Sequence, residues 1–213
     1  MNDRFTRSRW IFGDGFAKLQ NAKVLVCGCG GVGGVCIDAL YRSGVIGITA
    51  VDCDKFDITN QNRQIGSNFV GEYKTDVFAK LYPDIKCVNL RLTPENIDNL
   101  NLDEFDLVID CIDDIPAKIA LIAKTYKKLL SSMGGAKRLD PTAIKIDSIW
   151  KTYNDPFAKK IRYELKKAGF NGDFKVVFSS ELPNCTNLGS FIGVTASFGL
   201  NLAALAVNRL IKC

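Results

Sequence analysis

The stretch Gly28-Cys29-Gly30-Gly31-Val32-Gly33-Gly34 constrains this chain more than any other. It follows a short apolar run, Lys23–Cys27, that reads as a buried strand. Val32, Cys36, Ala39 and Leu40 then recur at helical spacing as far as Gly44. Residues 46–51 read as a second strand, with Asp52 at its end. Strand, glycine turn, helix and strand with a terminal acid is the order of a nucleotide-binding βαβ unit. Gly28, Gly30 and Gly33 match G-x-G-x-x-G. The first glycine allows the tight turn, the second lets phosphate reach the backbone, and the third lets helix and strand pack closely. Phosphates would sit at the helix N-terminus, and Asp52 is placed for ribose hydroxyls. The pattern fits a mononucleotide or a dinucleotide.

Further strands are predicted over residues 85–90, 107–111, 129–133 and 143–149, and helices over 116–128 and 190–211. Asp155-Pro156 reads as a helix start and Gly169 as its stop, with Phe157, Ile161 and Leu165 on one face. No repeat or linker interrupts this order. The expectation is one α/β domain over residues 1–213, a Rossmann-like nucleotide-binding fold with a mostly parallel central sheet flanked by helices.

Composition narrows the chemistry. The chain has no histidine, which removes Ser-His-Asp and Cys-His nucleophilic sites and imidazole metal sites. Its eight cysteines lie mostly in apolar runs and form no C-x-x-C pair. That reads as reduced, buried thiols in a cytoplasmic protein without zinc. The N-terminus is charged and has no signal-peptide pattern. Residues 182–208 carry no charge, a length that would span a bilayer. Their asparagines, hydroxyl residues and glycines favour a buried core helix instead.

Charge is uneven. Residues 124–167 hold 12 basic and 4 acidic side chains, while the whole chain is only +5. Such a segment suits an anionic partner such as a nucleic acid, or is simply a set of solvated faces. Lys137, Arg138, Lys159, Lys160, Arg162, Lys166 and Lys167 are its candidate phosphate contacts.

A polar cluster after the second strand points away from hydride transfer. It runs from Asp54 through Thr59-Asn60-Gln61-Asn62-Arg63-Gln64, with Lys74 farther on. Asn60 and Arg63 suit a triphosphate, and Asp113 suits Mg²⁺ through oxygen. Gly-Cys-Gly-Gly-Val-Gly, Asp-Cys-Asp, Thr-Asn-Gln-Asn-Arg-Gln, Lys74 and Asp-Cys-Ile-Asp-Asp together resemble the ThiF/MoeB/HesA superfamily, relatives of the adenylation domain of ubiquitin-activating enzymes. The chain is most similar to the branch that dehydrates tRNA threonylcarbamoyladenosine. That resemblance rests on residues such as Lys118 to Ile122, Gly134-Gly135-Ala136, Leu139-Asp140-Pro141-Thr142 and Val177 to Glu181.

The resemblance implies an ATP-dependent enzyme. Gly28, Gly30, Gly31 and Gly33 would line the phosphates, and Asp52 and Asp54 would lie at the nucleoside. Asn60, Arg63 and Lys74 would hold phosphates and transition state, and Asp113 would hold Mg²⁺. An N-terminal arginine, assigned to Arg7 with Arg4 and Arg9 as rivals, would come from the partner in a homodimer. The substrate carboxylate would be adenylated, and ring closure would expel AMP. DNA is not an expected partner. The alternative is activation of the C-terminus of a ubiquitin-like sulfur-carrier protein, with sulfur-relay partners and Cys185 as the one thiol in a plausible loop. A degenerate nucleotide-binding scaffold and an NAD-dependent oxidoreductase are the remaining readings. The glycine motif alone does not exclude NAD.

Overall fold

The glycine turn folds as its spacing requires. Strand β1 (Lys23–Cys27) leads through it into helix α3 (Gly33–Ser43), and β2 (Gly47–Asp52) returns parallel to β1. The structure is a computed structural model that describes residues 2–212. It extends this unit into a seven-stranded sheet of order β3-β2-β1-β4-β5-β7-β6. The other strands are β3 (Lys86–Asn89), β4 (Leu107–Asp110), β5 (Leu129–Ser132), β6 (Ile144–Ser148) and β7 (Lys175–Ser179). Every pairing is parallel except that of β6 with β7, which closes one edge.

Two cores cover the two sheet faces. On one face α3 and α7 (Ile192–Leu210) bury Ile37, Leu40, Phe198 and Leu202. On the other, α5 (Ile115–Thr125) and α6 (Pro156–Lys167) bury Leu121, Ile122, Ile161 and Leu165. Strands β4 and β5 are buried along their whole length, as parallel strands sandwiched between helices must be. Close contact of α3 with α7 depends on Gly199, where a Cβ would stand 2.5 Å from the Val32 carbonyl oxygen. Helices α1 (Thr6–Phe12), α2 (Gly15–Asn21) and α4 (Lys74–Leu81) complete the fold.

Strands expected over 85–90, 107–111, 129–133 and 143–149 are present, each slightly shorter. The expected helix over 116–128 is α5 followed by a 3-10 turn. Asp155 caps α6 by accepting the Ala158 N–H, with Pro156 in the first turn. Two features differ from the sequence reading. Strand β7 inserts between β5 and β6, so consecutive strands β5 and β6 are not neighbours. Helix α7 is buried on one side only, and Ile192 and Leu200 lie about half exposed on its outer side. Among the described residues no helix is long and apolar enough to cross a membrane.

Candidate active site

The strand order reverses between β1 and β4, and a crevice opens there beyond the carboxyl ends of the strands. Its volume is about 1020 Å³, large enough for a nucleotide and part of a second molecule. The glycine turn forms its floor. A Cβ at Gly33 would lie 1.8 Å from the Gly28 carbonyl oxygen, and one at Gly28 would lie 2.8 Å from the Cys111 carbonyl oxygen. Both glycines are therefore demanded by backbone packing. Gly30 differs: its Cβ would meet nothing closer than Gln64 Nε2 at 3.9 Å. The backbone there is open to an incoming phosphate, next to the first N–H groups of α3.

Carboxylates and a lysine fix the β2 side. Asp52 accepts the Cys29 N–H at 2.6 Å and the Asp54 N–H at 2.8 Å, which ties the glycine turn to the end of β2. Lys74, buried at the start of α4, lies 3.0 Å from Asp54 Oδ2 and 4.0 Å from Asp52 Oδ1. Burial pushes the Asp54 carboxyl up, but the Lys74 hydrogen bond and charge outweigh it and hold the group below its ordinary value. Asp52, Cys53 and Asp54 bring ligand atoms within 4.8 Å of one another. Lys74 offsets one of their two carboxylate charges.

The polar cluster forms the wall above. Asp57 and Asn60 make a reciprocal cap on the turn Ile58–Asn60. Asn60 accepts the Asp57 N–H through Oδ1, and its own amide N–H groups have no protein acceptor among the described residues. Arg63 Nη1 donates to the Thr59 carbonyl and to Asn62 Oδ1, and its stem lies against Gly31. Asp113 is exposed at the crevice wall, and no protein group bonds its carboxylate among the described residues. It follows a clamped loop. Asp110 accepts the Ile112 N–H, while Lys118 pairs with Asp110 at 2.8 Å and donates to the Ile112 carbonyl. Asp110 and Lys118 are both fully buried.

Gly28, Gly30, Gly31, Gly33, Asp52, Asp54, Asn60, Arg63, Lys74 and Asp113 thus converge on one crevice. Arg7 does not line it within this chain. Its rivals are engaged elsewhere: Arg4 with Tyr41 and Asp84, Arg9 with Asp3. Arg7 is exposed on α1 and makes no ion pair among the described residues.

The basic segment divides. Arg138 was expected at the surface as a phosphate contact, but it is only 3% exposed and lines the crevice. The β5–β6 connection folds inward there, so linear charge density misplaced it. Lys137 is half-buried, with Nζ donating to the Thr186 carbonyl. Arg162 is half-buried and bonds Thr152 Oγ1. Lys159, Lys160, Lys166 and Lys167 are exposed on α6, and Lys160 reaches the crevice rim.

Sequence reasoning missed Arg91, which lines the crevice past β3 and whose charge helps lower Asp54. No local motif marks it, because only the β2–β3 pairing brings it there. Gln64 stands in the polar cluster without a role of its own; its Oε1 is buried with no partner among the described residues, beside the glycine turn. Cys185 is exposed in the loop before α7, whereas Cys27, Cys29 and Cys36 are buried and their thiols pushed well up by burial. Cys213 lies outside the described residues.

The ThiF family model matches residues 4–213. The chain belongs to the ThiF family. The tRNA threonylcarbamoyladenosine dehydratase of Bacillus subtilis is 39% identical over 195 residues, covering 86% of this chain and 77% of that protein. The crystal structure of E. coli tRNA N6-threonylcarbamoyladenosine dehydratase in complex with AMP matches with a TM-score of 0.93 at 31% identity. It covers 98% of this chain and 94% of that one. The ATP complex of the E. coli enzyme matches with a TM-score of 0.92 over the same shares.

Proposed function

We propose that this ThiF-family chain is an ATP-dependent tRNA threonylcarbamoyladenosine dehydratase. The observation that carries the reading is its near end-to-end likeness to the ATP- and AMP-bound E. coli enzyme, over 98% of this chain and 94% of that one.

The chemistry follows from the crevice. Gly30 and Gly31 at the N-terminus of α3 would hold the ATP phosphates, and Asp52 the ribose. A carboxylate oxygen of the threonylcarbamoyl group attacks the α-phosphorus as the bond to pyrophosphate breaks. An internal nitrogen or oxygen of the substrate then attacks the acyl carbon, and AMP leaves with the original carboxylate oxygen. The sum is loss of one water from the nucleoside. Negative charge builds on phosphate oxygens, so cations and N–H donors are what catalysis needs, and no imidazole is required. Arg63, Lys74 and the Asn60 amide supply them. The uncommitted Asp113 carboxylate fits a hard cation, so it would hold Mg²⁺, which supplies charge neutralisation on the phosphates. In a homodimer, Arg7, exposed and without an ion pair among the described residues, would be the arginine that serves the partner's crevice. The exposed lysines of α6 would face the tRNA backbone, and a tRNA substrate fits a cytoplasmic protein.

The test supplies Mg²⁺-ATP with tRNA bearing the threonylcarbamoyl group, with the same tRNA unmodified, or with a sulfur-carrier protein ending in Gly-Gly. AMP released only with the modified tRNA supports the reading. AMP or adenylate formed only with the carrier protein overturns it in favour of carrier activation.

A further inference from the structure

Arg138 is a cation buried where the adenylation machinery does not use it. It lies 3% exposed at the end of the crevice formed by residues 132–138 and the start of α6. The sheet order sets this end apart from Asp52, Asp54 and Arg91: they follow β2 and β3, whereas Arg138 follows β5 on the other side of the glycine turn. Space beyond the phosphates is where the group attacking them must enter.

Its guanidinium is only partly satisfied. Nη2 donates to the Asn154 carbonyl at 3.0 Å, whereas Nε and Nη1 have no hydrogen-bond partner among the described residues. Buried unpaired donors on a charged group are costly, and such a group persists where an incoming ligand completes it. The neighbouring acid does not do so. Asp155 accepts the Ala158 and Gly134 N–H groups and makes no ion pair with Arg138 among the described residues. Burial pushes the Asp155 carboxyl up, against the Ala158 and Gly134 N–H groups and the Arg138 charge, which act the other way, so the acid contributes charge but no hydrogen bond to the guanidinium.

The surroundings hold the guanidinium in place. Lys137, just before it, has φ +64°, and Asn154, whose carbonyl receives Nη2, has φ +57°. Both are left-handed conformations, which Asn tolerates but a lysine seldom adopts unless its neighbours hold it there. The Lys137 N–H donates to the Gly189 carbonyl, its carbonyl accepts the Asn184 N–H, and Asn154 Nδ2 donates to the Ser180 carbonyl. Three connections thus brace one buried cation.

We propose that Arg138 receives the carboxylate of the threonylcarbamoyl group and presents it to the α-phosphate. This rests on the dehydratase reading above. A charge-assisted hydrogen bond in a dry site discriminates a carboxylate from its absence by about tenfold to a hundredfold.

The test measures binding of threonylcarbamoyl-bearing and unmodified tRNA to the full chain, with a non-hydrolysable ATP analogue present. Wild type should prefer the modified tRNA by that factor. Arg138→Met should bring the ratio to about one, with affinity for unmodified tRNA and for the ATP analogue within about twofold of wild type. Arg138→Lys, which keeps the charge, should retain part of the preference and serves if the methionine variant does not fold. A preference unchanged in both variants overturns the inference. So does a loss of affinity for the ATP analogue, which would assign Arg138 to a nucleotide phosphate. A wild-type protein that binds both tRNAs equally overturns the inference, and AMP formation with the modified tRNA tells separately whether the dehydratase reading stands.

Discussion

Replacing Lys118 with methionine removes one half of an ion pair that has no access to water. Lys118 and Asp110 are both 0% exposed and 2.8 Å apart. The lost ammonium leaves a carboxylate held, among the described residues, by the Ser131 hydroxyl at 2.7 Å and the Ile112 N–H at 3.1 Å. Breaking a buried pair from one side costs about 3–5 kcal/mol. For a chain of this size, that lowers Tm by roughly 6–20 °C. Replacing both partners, as in D110L/K118M, removes the stranded charge and should recover most of the loss. Activity should not recover with it, because the pair also clamps the Ile112 backbone on both sides and so sets the position of Asp113. The assay is a double-mutant cycle in denaturant, with AMP formation measured on each variant. A K118M loss under about 1 kcal/mol would refute the burial argument. Full activity in the folded double variant would refute the clamp.

Other expectations follow from the same geometry. Gly33→Ala drives a Cβ to 1.8 Å from a fixed carbonyl oxygen and should cost at least about 3 kcal/mol, whereas Gly30→Ala should leave Tm nearly unchanged and weaken ATP binding, both read by calorimetry. Reversing Lys159, Lys160, Lys166 and Lys167 to glutamate should weaken tRNA binding and flatten its salt dependence by up to about 0.7–0.9 per lost phosphate contact, with ATP affinity unchanged. Burial pushes the Cys111 thiol up to about 12 and the Cys87 thiol up to about 11, so both stay protonated at pH 8. A thiol reagent at that pH should show a fast phase from exposed Cys185 that C185S removes. That variant should keep full dehydratase activity, while a reaction passing through a thioester on this cysteine would lose it.

The βαβ unit was legible because its constraints are local. The glycine spacing, the apolar runs and Asp52 each follow from contacts within one turn or one strand pair. Asn60, Arg63, Lys74 and Asp113 were legible as a set, although α4, which begins at Lys74, was not read as a helix. Strand β7 was not read as a strand at all. Its place between β5 and β6 depends on pairing across long sequence separations, which periodicity does not register. Charge density identified the cationic stretch but not its direction, so Arg138 was grouped with surface lysines. The burial of Lys118 had a visible sign that went unused. It is flanked by Ala117, Ile119, Leu121 and Ile122, on a helix that begins only a few residues past an apolar strand ending in Asp110.

The central claim is that this crevice adenylates a carboxylate on tRNA and then closes a ring. Mass spectrometry of nucleosides, from modified tRNA incubated with the protein and Mg²⁺-ATP, tests it directly. The account predicts loss of one water from threonylcarbamoyladenosine, with one AMP formed for each nucleoside changed. ATP bound without AMP formed, and nucleoside mass unchanged, would contradict it.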